Sequence, residues 1–186
     1  MRRYGRTAAA EAARLEAVEA ASRLELRLRA GGLLEPVVVP GLVLDAGETA
    51  FADVVCGTAR FYGTEVVYPR GGAGYFEDHP TFGRRWVPNH CLDARRRQQA
   101  EADAQARWRD HTPARVVLTS DGLRINPANA LGAWLPFDHV LLVGITVSPE
   151  HQALELSYSV CAPVLLSGAA APWLGVAIRH LVPVSQ

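Results

Sequence analysis

Lysine is absent from this chain of 186 residues, and all 19 of its basic residues are arginine. The 19 acidic residues balance them, so the formal net charge is zero. A neutral chain generates no long-range field that would attract nucleic acid or an anionic membrane. Composition therefore argues against nucleic acid as the partner, and it gives no support for binding to a membrane surface.

Cysteine is scarce and shows no pairing pattern. Cys56, Cys91 and Cys161 are far apart, and no Cys-x-x-Cys occurs. An odd number of widely spaced cysteines does not predict a disulfide framework, so we expect free thiols in a reducing cytoplasm. No apolar run approaches the ~20 residues of a membrane span, and the first residues lack the apolar stretch of a signal peptide. We therefore expect a cytoplasmic protein.

The usual catalytic fingerprints are missing as well. The sequence contains no Gly-x-Ser-x-Gly and no dinucleotide-binding motif, and the glycine-rich loop at 70–74 lacks the Lys-Ser/Thr of a phosphate-binding loop. Four histidines, His111, His139, His151 and His180, have no nucleophile or paired base nearby in the sequence. The sequence therefore predicts a protein that is not an enzyme and that needs no cofactor.

Metal-type ligands come close together at two places, Glu77-Asp78-His79-Pro80 and Asn89-His90-Cys91-Leu92-Asp93. A zinc site, or a metal-dependent hydrolase built around His79 and His90, is one interpretation of this pattern. An HNH-type nuclease finger would need a second histidine further along its helix, where this chain has arginine and glutamine. We interpret these side chains as polar groups that cap loops, and we expect no metal.

The last third of the chain predicts most of a β domain. Between Ala114 and Val182, short β-like runs alternate with turn signals built from residues that favour a positive or a fixed φ. The turn signals are Ser120-Asp121-Gly122, Asn126-Pro127, Ser148-Pro149-Glu150 and Ala162-Pro163. Strands at such regular spacing indicate a small antiparallel barrel or sandwich.

A helix-period segment follows these strands. Its apolar residues are Trp173, Val176, Ala177 and Ile178. We expect this helix to be structural, with Trp173 and Ile178 buried against the strands that contain Val117, Leu141 and Leu156.

An amphipathic helix is predicted at the other end of the chain, from Thr7 to Ala30, with Gly31-Gly32 as its stop. Its apolar residues recur every three or four positions: Leu15, Val18, Ala21, Leu24 and Leu28. Such a stripe needs a cover, which is either the outer sheet or the same helix of a second molecule. We expect a homo-oligomer in which Leu15, Val18, Leu24 and Leu28 contact the partner.

The middle of the chain divides into a β-rich part and an insertion. A turn at Leu44–Glu48 starts a β-rich run that continues to Tyr68 as a hairpin or meander, with turns or bulges at Gly57 and Gly63. After it, 69–113 reads as an insertion in which Asp93 caps a helix that reaches about Asp110. The domain prediction is an N-terminal helix at 1–32 and a single domain at 33–186.

Two arginine stretches lie in this insertion. Arg84-Arg85-Trp86 and Arg95-Arg96-Arg97 would suit phosphate contacts with an aromatic ring for stacking, so a nucleic-acid-binding accessory protein is an alternative function. However, carboxylates at i,i+4 spacing, such as Asp93 with Arg97, favour a solvated helix face. We therefore retain Arg84, Arg85 and Trp86 as candidate contacts to a protein partner.

Several motifs together resemble bacterial pleckstrin-homology-like and GRAM-like domains. They are Leu-x-x-Gly-Glu at Leu44–Glu48, Val-Leu-Thr-Ser-Asp-Gly-Leu-Arg-Ile at Val117–Ile125, Trp-Leu-Pro-Phe at Trp134–Phe137, and the terminal amphipathic helix. The stretch from Asn89 through the arginine-rich helix into the next strand is similar to a group of uncharacterised actinobacterial proteins.

The resemblance implies an α+β fold, a pleckstrin-homology-like bent antiparallel barrel of seven strands with a C-terminal plugging helix. This chain adds an N-terminal helix and an inserted helix. Members of such families are not catalytic and bind lipids, peptides or one another. A lipid-headgroup site would need clustered cations around the first hairpin loop, where only Arg60 lies near Gly63, so we do not expect phosphoinositide binding. The expected function is a non-catalytic interaction or scaffold module that binds protein partners or itself.

Overall fold

The computed structural model describes residues 2–182, with side chains from residue 11 onward. Its helices are α1 (Arg2–Arg29), α2 (His90–Ala104) and α3 (Ala171–Leu181). The strands are β1 (Ala50–Tyr62), β2 (Gly74–His79), β3 (Gly83–Pro88), β4 (Arg107–Thr119), β5 (Gly122–Pro127), β6 (Leu135–Asp138), β7 (Leu142–Ser148), β8 (Ala153–Tyr158) and β9 (Val164–Ser167). None of the described helices is long and apolar enough to cross a membrane.

The chain forms two compact units. The sheet unit comprises 1–61 and 108–186, and the inserted unit comprises 62–107. The sequence had placed the insertion at about 69–113 and had set 1–32 apart as a separate helix. In the structure the N-terminal helix belongs to the sheet unit, because it packs against α3.

The sheet unit contains one seven-stranded sheet in the order β6-β5-β4-β1-β9-β8-β7. The β1–β9, β4–β5, β5–β6, β7–β8 and β8–β9 pairs are all antiparallel. Side-chain contacts between β1 and β4 run in opposite senses too, since Asp53 meets Arg115 and Thr58 meets Thr112. The prediction of an α+β protein with an antiparallel sheet is confirmed.

The seven-stranded antiparallel sheet does not close into a barrel. The end strands β6 and β7 are not neighbours in the sheet, and one turn of 3₁₀ helix at His139–Leu141 joins them. The predicted hairpin at the start of the domain is wrong, because β1 is a single strand of 13 residues. Gly57 lies inside it rather than at a turn, and a Cβ there would come within 2.5 Å of Ser167 Oγ on β9.

The C-terminal helix α3 lies in the core of the sheet unit. Leu174, Ala177 and Ile178 are fully buried, and Trp173 is half-buried beside them. Leu156 on β8 belongs to the same cluster and Leu141 packs against it, as expected. Val117 does not, because it is buried in a second cluster with Val39 and Ala50. Adjacent positions on a strand face opposite sides, and it is Val116 and Leu118 that point towards α3.

Helix α1 covers α3 with a stripe that differs from the expected one. Ala17, Ala21, Leu24 and Leu28 are buried, and their spacing of four, three and four residues marks one helix face. Leu24 and Leu28 belong to the main core of this chain, so they are not available to a second molecule. Leu15 is 56% exposed and Val18 is half-buried. The structure therefore uses most of the stripe within one molecule.

The extended segment between α1 and β1 crosses the other face of the sheet. Val39 packs into the second cluster, and Val37 N donates to Ala50 O at 2.8 Å. Arg115 fixes this segment by donating to Pro40 O at 3.0 Å while two of its nitrogens donate to Asp53 at 2.8 and 2.6 Å. The hydrogen bonds from Arg115 lower the pKa of the Asp53 carboxyl.

In the inserted unit, helix α2 begins and ends earlier than predicted. Its N-cap is Asn89, whose Oδ1 accepts from Leu92 N at 3.0 Å, and the helix ends at Ala104. Asp93, the predicted N-cap, lies in the first turn and accepts a hydrogen bond from Ala73 N instead. Asp110, the predicted end of the helix, is part of β4 with φ of 57°.

Candidate partner-binding surface

The inserted unit carries an aromatic and cationic face on the ribbon formed by β2 and β3. The two strands pair antiparallel, with Phe76 opposite Trp86 and Asp78 opposite Arg84. The Phe76 and Trp86 rings meet edge to face with centroids 5.0 Å apart, and the Arg84 guanidinium carbon lies 4.5 Å from the Phe76 centroid. Phe76 is 57% and Trp86 46% exposed. This face offers aromatic surface, a positive charge at Arg84 and a negative charge at Asp78 to whatever binds it.

The opposite face of the ribbon is different. Arg85 lies across from Glu77 and donates to its Oε2 through Nε at 3.1 Å and Nη2 at 2.9 Å. Tyr75 is exposed on the same face. The structure thus brings Arg84 and Trp86 together, as the sequence suggested, but places Arg85 on the other side with its charge paired.

The two histidines considered as metal ligands, His79 and His90, lie in different elements of the inserted unit. His79 closes the ribbon turn, where its Nδ1 accepts from the amides of Thr81 at 3.2 Å and Phe82 at 3.4 Å. His90 and Cys91 are exposed in the first turn of α2. Within the part of the chain that the structure describes, no three His, Cys, Asp or Glu side chains come together in a way that could hold a metal ion.

The arginines of α2 lack the carboxylate partners that their spacing suggested. Asp93 is engaged with Ala73 N, and Glu101 accepts from Tyr68 OH at 3.2 Å. Arg95, Arg96 and Arg97 form no ion pair with any residue between 11 and 182. Three free cations therefore follow one another on an exposed helix.

Two of these arginines line a cavity of about 270 Å³ inside the inserted unit. The remaining walls are Pro69, Gly71, Gly72 and Asp93. Two glycines leave the backbone of this loop accessible, and the neighbouring guanidinium groups can bind an anion through several N–H donors at once. The cavity combines two positive side chains with one negative side chain.

The inserted unit has almost no core of its own. Between residues 62 and 107, only Ala73 and Ala104 are buried. The exposed large side chains of this range include Val67, Tyr68, Tyr75, Phe76, Phe82 and Trp86. Isolated two-stranded hairpins and short helices are marginally stable in water. This surface is therefore rich in apolar area that its own unit does not cover.

In the sheet unit, the residues that carry the family resemblance form a buried polar network. Thr119 Oγ1 donates to Glu48 Oε1 at 2.6 Å, and Arg124 Nη2 lies 2.8 Å from the same oxygen. Arg124 Nη1 donates to Asp138 Oδ1 at 3.0 Å, and Asp45 N donates to Glu48 Oε2 at 3.0 Å. The Gly-Glu turn and the Leu-Thr strand therefore hold β1, β4, β5 and β6 in register, which is a structural role.

His139 lies at the edge of this network. Its Nε2 is 3.2 Å from Thr119 O, and its Nδ1 is buried without a hydrogen-bond partner among the described residues. Burial lowers the pKa of His139. In the sequence His139 has no nucleophile or paired base nearby, and no pattern in the neighbouring residues predicts its contact with β4.

A second candidate site is a groove of about 210 Å³ in the sheet unit, which sequence reasoning missed. Its apolar walls include Ile125, Leu135, Phe137 and Val164. Arg60 lines it as well, with its guanidinium carbon 5.5 Å from the Phe137 centroid and its Nε buried without a partner in the described chain. The sequence feature that could have indicated this groove is Arg60, a basic residue within the β-rich run at 50–62.

Comparison of this chain with known protein families, with curated proteins and with solved structures finds no match.

Proposed function

We propose that this protein is a non-catalytic interaction module. In this proposal the sheet unit is a pleckstrin-homology-like scaffold, and the inserted unit carries the surface that binds the partner. The scaffold part is supported by the seven antiparallel strands, by the Gly-Glu turn that precedes β1, and by the C-terminal helix α3 in the core. The open sheet, α1 and the insertion are the departures from the family pattern.

The observation that carries the proposal is the exposed aromatic surface of the inserted unit. Phe76, Phe82 and Trp86 face solvent in a unit that buries only two alanines between residues 62 and 107. Exposed contiguous apolar surface marks interaction sites, and tryptophan and arginine are enriched where binding energy concentrates. A partner that covers these rings would supply the burial that the unit lacks.

Two titratable side chains, Glu48 and His79, have structural roles, which favours a function without catalysis. Glu48 is held by Thr119 and Arg124 in a buried network, and His79 holds the ribbon turn. A general acid or base must reach a substrate proton. These groups serve the fold instead, which supports binding rather than chemistry.

Site-specific photo-crosslinking in the native host tests the proposal. A photoreactive phenylalanine analogue at Phe82, which is 77% exposed in the inserted unit, is expected to give a covalent adduct. The same analogue at Val143, which is 61% exposed on β7 of the sheet unit, is the matched control. Adducts at 82 and none at 143 support the proposal. Equal labelling at both positions, or none at 82, contradicts it.

A further inference from the structure

We propose that the inserted unit binds single-stranded nucleic acid, with bases stacking on the ribbon face of Phe76 and Trp86 and a phosphodiester held between Arg96 and Arg97. This inference rests on the proposed function, because it takes the inserted unit as the binding surface and names the chemical class of its partner. It reverses the expectation drawn from the net charge of the whole chain.

The first step is that the arginines of the two units differ in how many of them form ion pairs. In the sheet unit, the arginines Arg14, Arg23, Arg27, Arg29, Arg115 and Arg124 each form an ion pair. In the inserted unit, Arg85 and Arg107 pair with Glu77 and Asp103. Arg70, Arg95, Arg96 and Arg97 form no ion pair with the described residues, and Arg84 rests on an aromatic ring. The inserted unit has seven arginines and six acidic residues, so its net charge is only +1. Its near-neutral charge thus conceals arginines without ion-pair partners, which are free to contact phosphates. Phosphate contacts supply most of the affinity for nucleic acid.

The second step is the availability of ring faces. Arg84 and Trp86 both contact Phe76, and this fixes the orientation of the aromatic pair, while nearly half of the Trp86 surface is open to solvent. Bases of a single strand can stack on such a ring, whereas bases of a duplex already stack on one another. A ribbon with exposed rings, in a unit that also carries unpaired arginines, therefore favours single strands over duplexes.

The third step is the charge balance of the cavity at the start of α2. Arg96 and Arg97 contribute two positive charges, and Asp93 contributes one negative charge. The balance is one positive charge, which matches the single negative charge of a phosphodiester. Asp93 Oδ1 already accepts from Ala73 N, so the carboxylate is held by the loop. The accessible backbone at Gly71 and Gly72 gives a phosphate room to approach.

Fluorescence anisotropy with the full-length chain and labelled oligothymidylate and oligouridylate of about 16 nucleotides tests this proposal. We expect binding that weakens with salt, with a slope of log K against log salt of about −1.4, since each neutralised phosphate of a single strand contributes about −0.7. One phosphate is held between Arg96 and Arg97, and a second is contacted by Arg84. A duplex of the same length is expected to bind more weakly. Comparing the two oligonucleotides distinguishes DNA from RNA.

Substitutions separate the contribution of the phosphate contacts from the contribution of base stacking. The double variant Arg96→Gln/Arg97→Gln is expected to reduce the slope by about 0.7, because it removes one phosphate contact. Trp86→Ala is expected to weaken binding about tenfold with the slope unchanged, and Trp86→Phe to restore most of it, because stacking needs a ring but no charge. Arg23→Gln/Arg29→Gln, which alters two exposed arginines of α1, is the matched control and should change neither quantity.

No binding at about 50 mM salt, tighter binding of the duplex, or a slope that the Arg96/Arg97 double variant leaves unchanged would overturn the nucleic-acid inference. The proposal of an interaction module is tested separately, by photo-crosslinking at Phe82. An adduct at Phe82 that protease removes and nuclease does not would retain the inserted unit as a binding surface for a protein, while sinking nucleic acid as its partner.

Discussion

His139 couples the stability of the sheet unit to pH. Burial lowers the pKa of His139 in the folded state, so the unfolded chain takes up a proton first as the pH falls below about 6.5. The stability contributed by the neutral imidazole is therefore complete above that pH. It declines by up to about 1.4 kcal/mol per pH unit until the lowered folded-state pKa is reached.

We expect His139→Gln to flatten this dependence, because a glutamine amide can still donate to Thr119 O but does not titrate. Urea unfolding between about pH 5 and pH 8 measures the free energy of unfolding of both proteins. Parallel curves for wild type and variant across that range would show that His139 is not responsible.

The three cysteines are expected to differ in reactivity because their burial differs. Cys56 is 2% exposed and burial raises its pKa to about 11, whereas Cys91 is exposed on α2 and Cys161 is half-buried. The thiolate is the reactive form, so Cys56 should not react at pH 8 until the protein unfolds. Titration with a chromogenic disulfide should give one fast thiol, and Cys91→Ser should remove it. A fast phase that survives this substitution would contradict the assignment.

At the scale of the element, α1 is expected to stabilise the molecule through α3. Leu24→Ala removes a side chain that is 3% exposed and should cost about 2–5 kcal/mol of unfolding free energy. Leu15→Ala on the same helix, at a position that is 56% exposed, is the control and should change stability by less than about 0.5 kcal/mol. Thermal and urea unfolding measure both. Equal effects would mean that α1 does not pack as described.

The same packing changes what truncation should do. If α1 only paired with a second copy, as the sequence suggests, deleting residues 1–30 would leave a folded monomer. Because Leu24 and Leu28 lie in the core of this chain, the deletion should instead expose α3 and lower the midpoint of thermal unfolding. Self-association of the full-length chain stays a prediction that light scattering can test. Leu15 is the exposed apolar residue of the predicted stripe.

The elements differ in how far the sequence could predict them, and the reason is burial. The strands β4 to β9 and the helix α3 bury side chains on at least one face, so their apolar periodicity and turn residues are visible in the sequence. The β2–β3 ribbon is exposed on both faces and therefore has no such periodicity, which is why the sequence predicts no strand between 75 and 90.

Other features depended on contacts that no local pattern contains. Asp93 is a good capping residue by type, but Asn89 performs that role and Asp93 bonds to Ala73. The i,i+4 spacing of Asp93 and Arg97 correctly places both on one helix, but the ion pair that it suggested does not form, because Asp93 is engaged with the loop. The candidate surface was therefore found as a set of residue types, while its free charges became apparent only from the structure.

At the scale of the whole molecule, the insertion leaves and returns to the sheet unit at nearby points. β1 and β4 are neighbours in the sheet, and Thr58 Oγ1 donates to Thr112 O at 3.1 Å near their ends. Beyond these strand ends, Thr64 N donates to Ala104 O at 2.9 Å, so the two chain segments are still adjacent there. A short turn can therefore connect β1 directly to β4.

We expect that replacing residues 64–105 with a short Gly-Ser turn gives a folded sheet unit. Its main core, which includes Leu118, Leu156 and Ile178, contains no residue of the removed range. Thermal unfolding should stay cooperative, with a midpoint within about 5 °C of the full-length protein, since about 1 kcal/mol corresponds to a few degrees in a domain of this size. The excised protein should also lose photo-crosslinking and oligonucleotide binding, because both are assigned to the removed unit. A deletion variant that is insoluble or unfolds without cooperativity would show that the sheet unit depends on the insertion. One that folds and still binds oligothymidylate would place the binding surface elsewhere in the molecule.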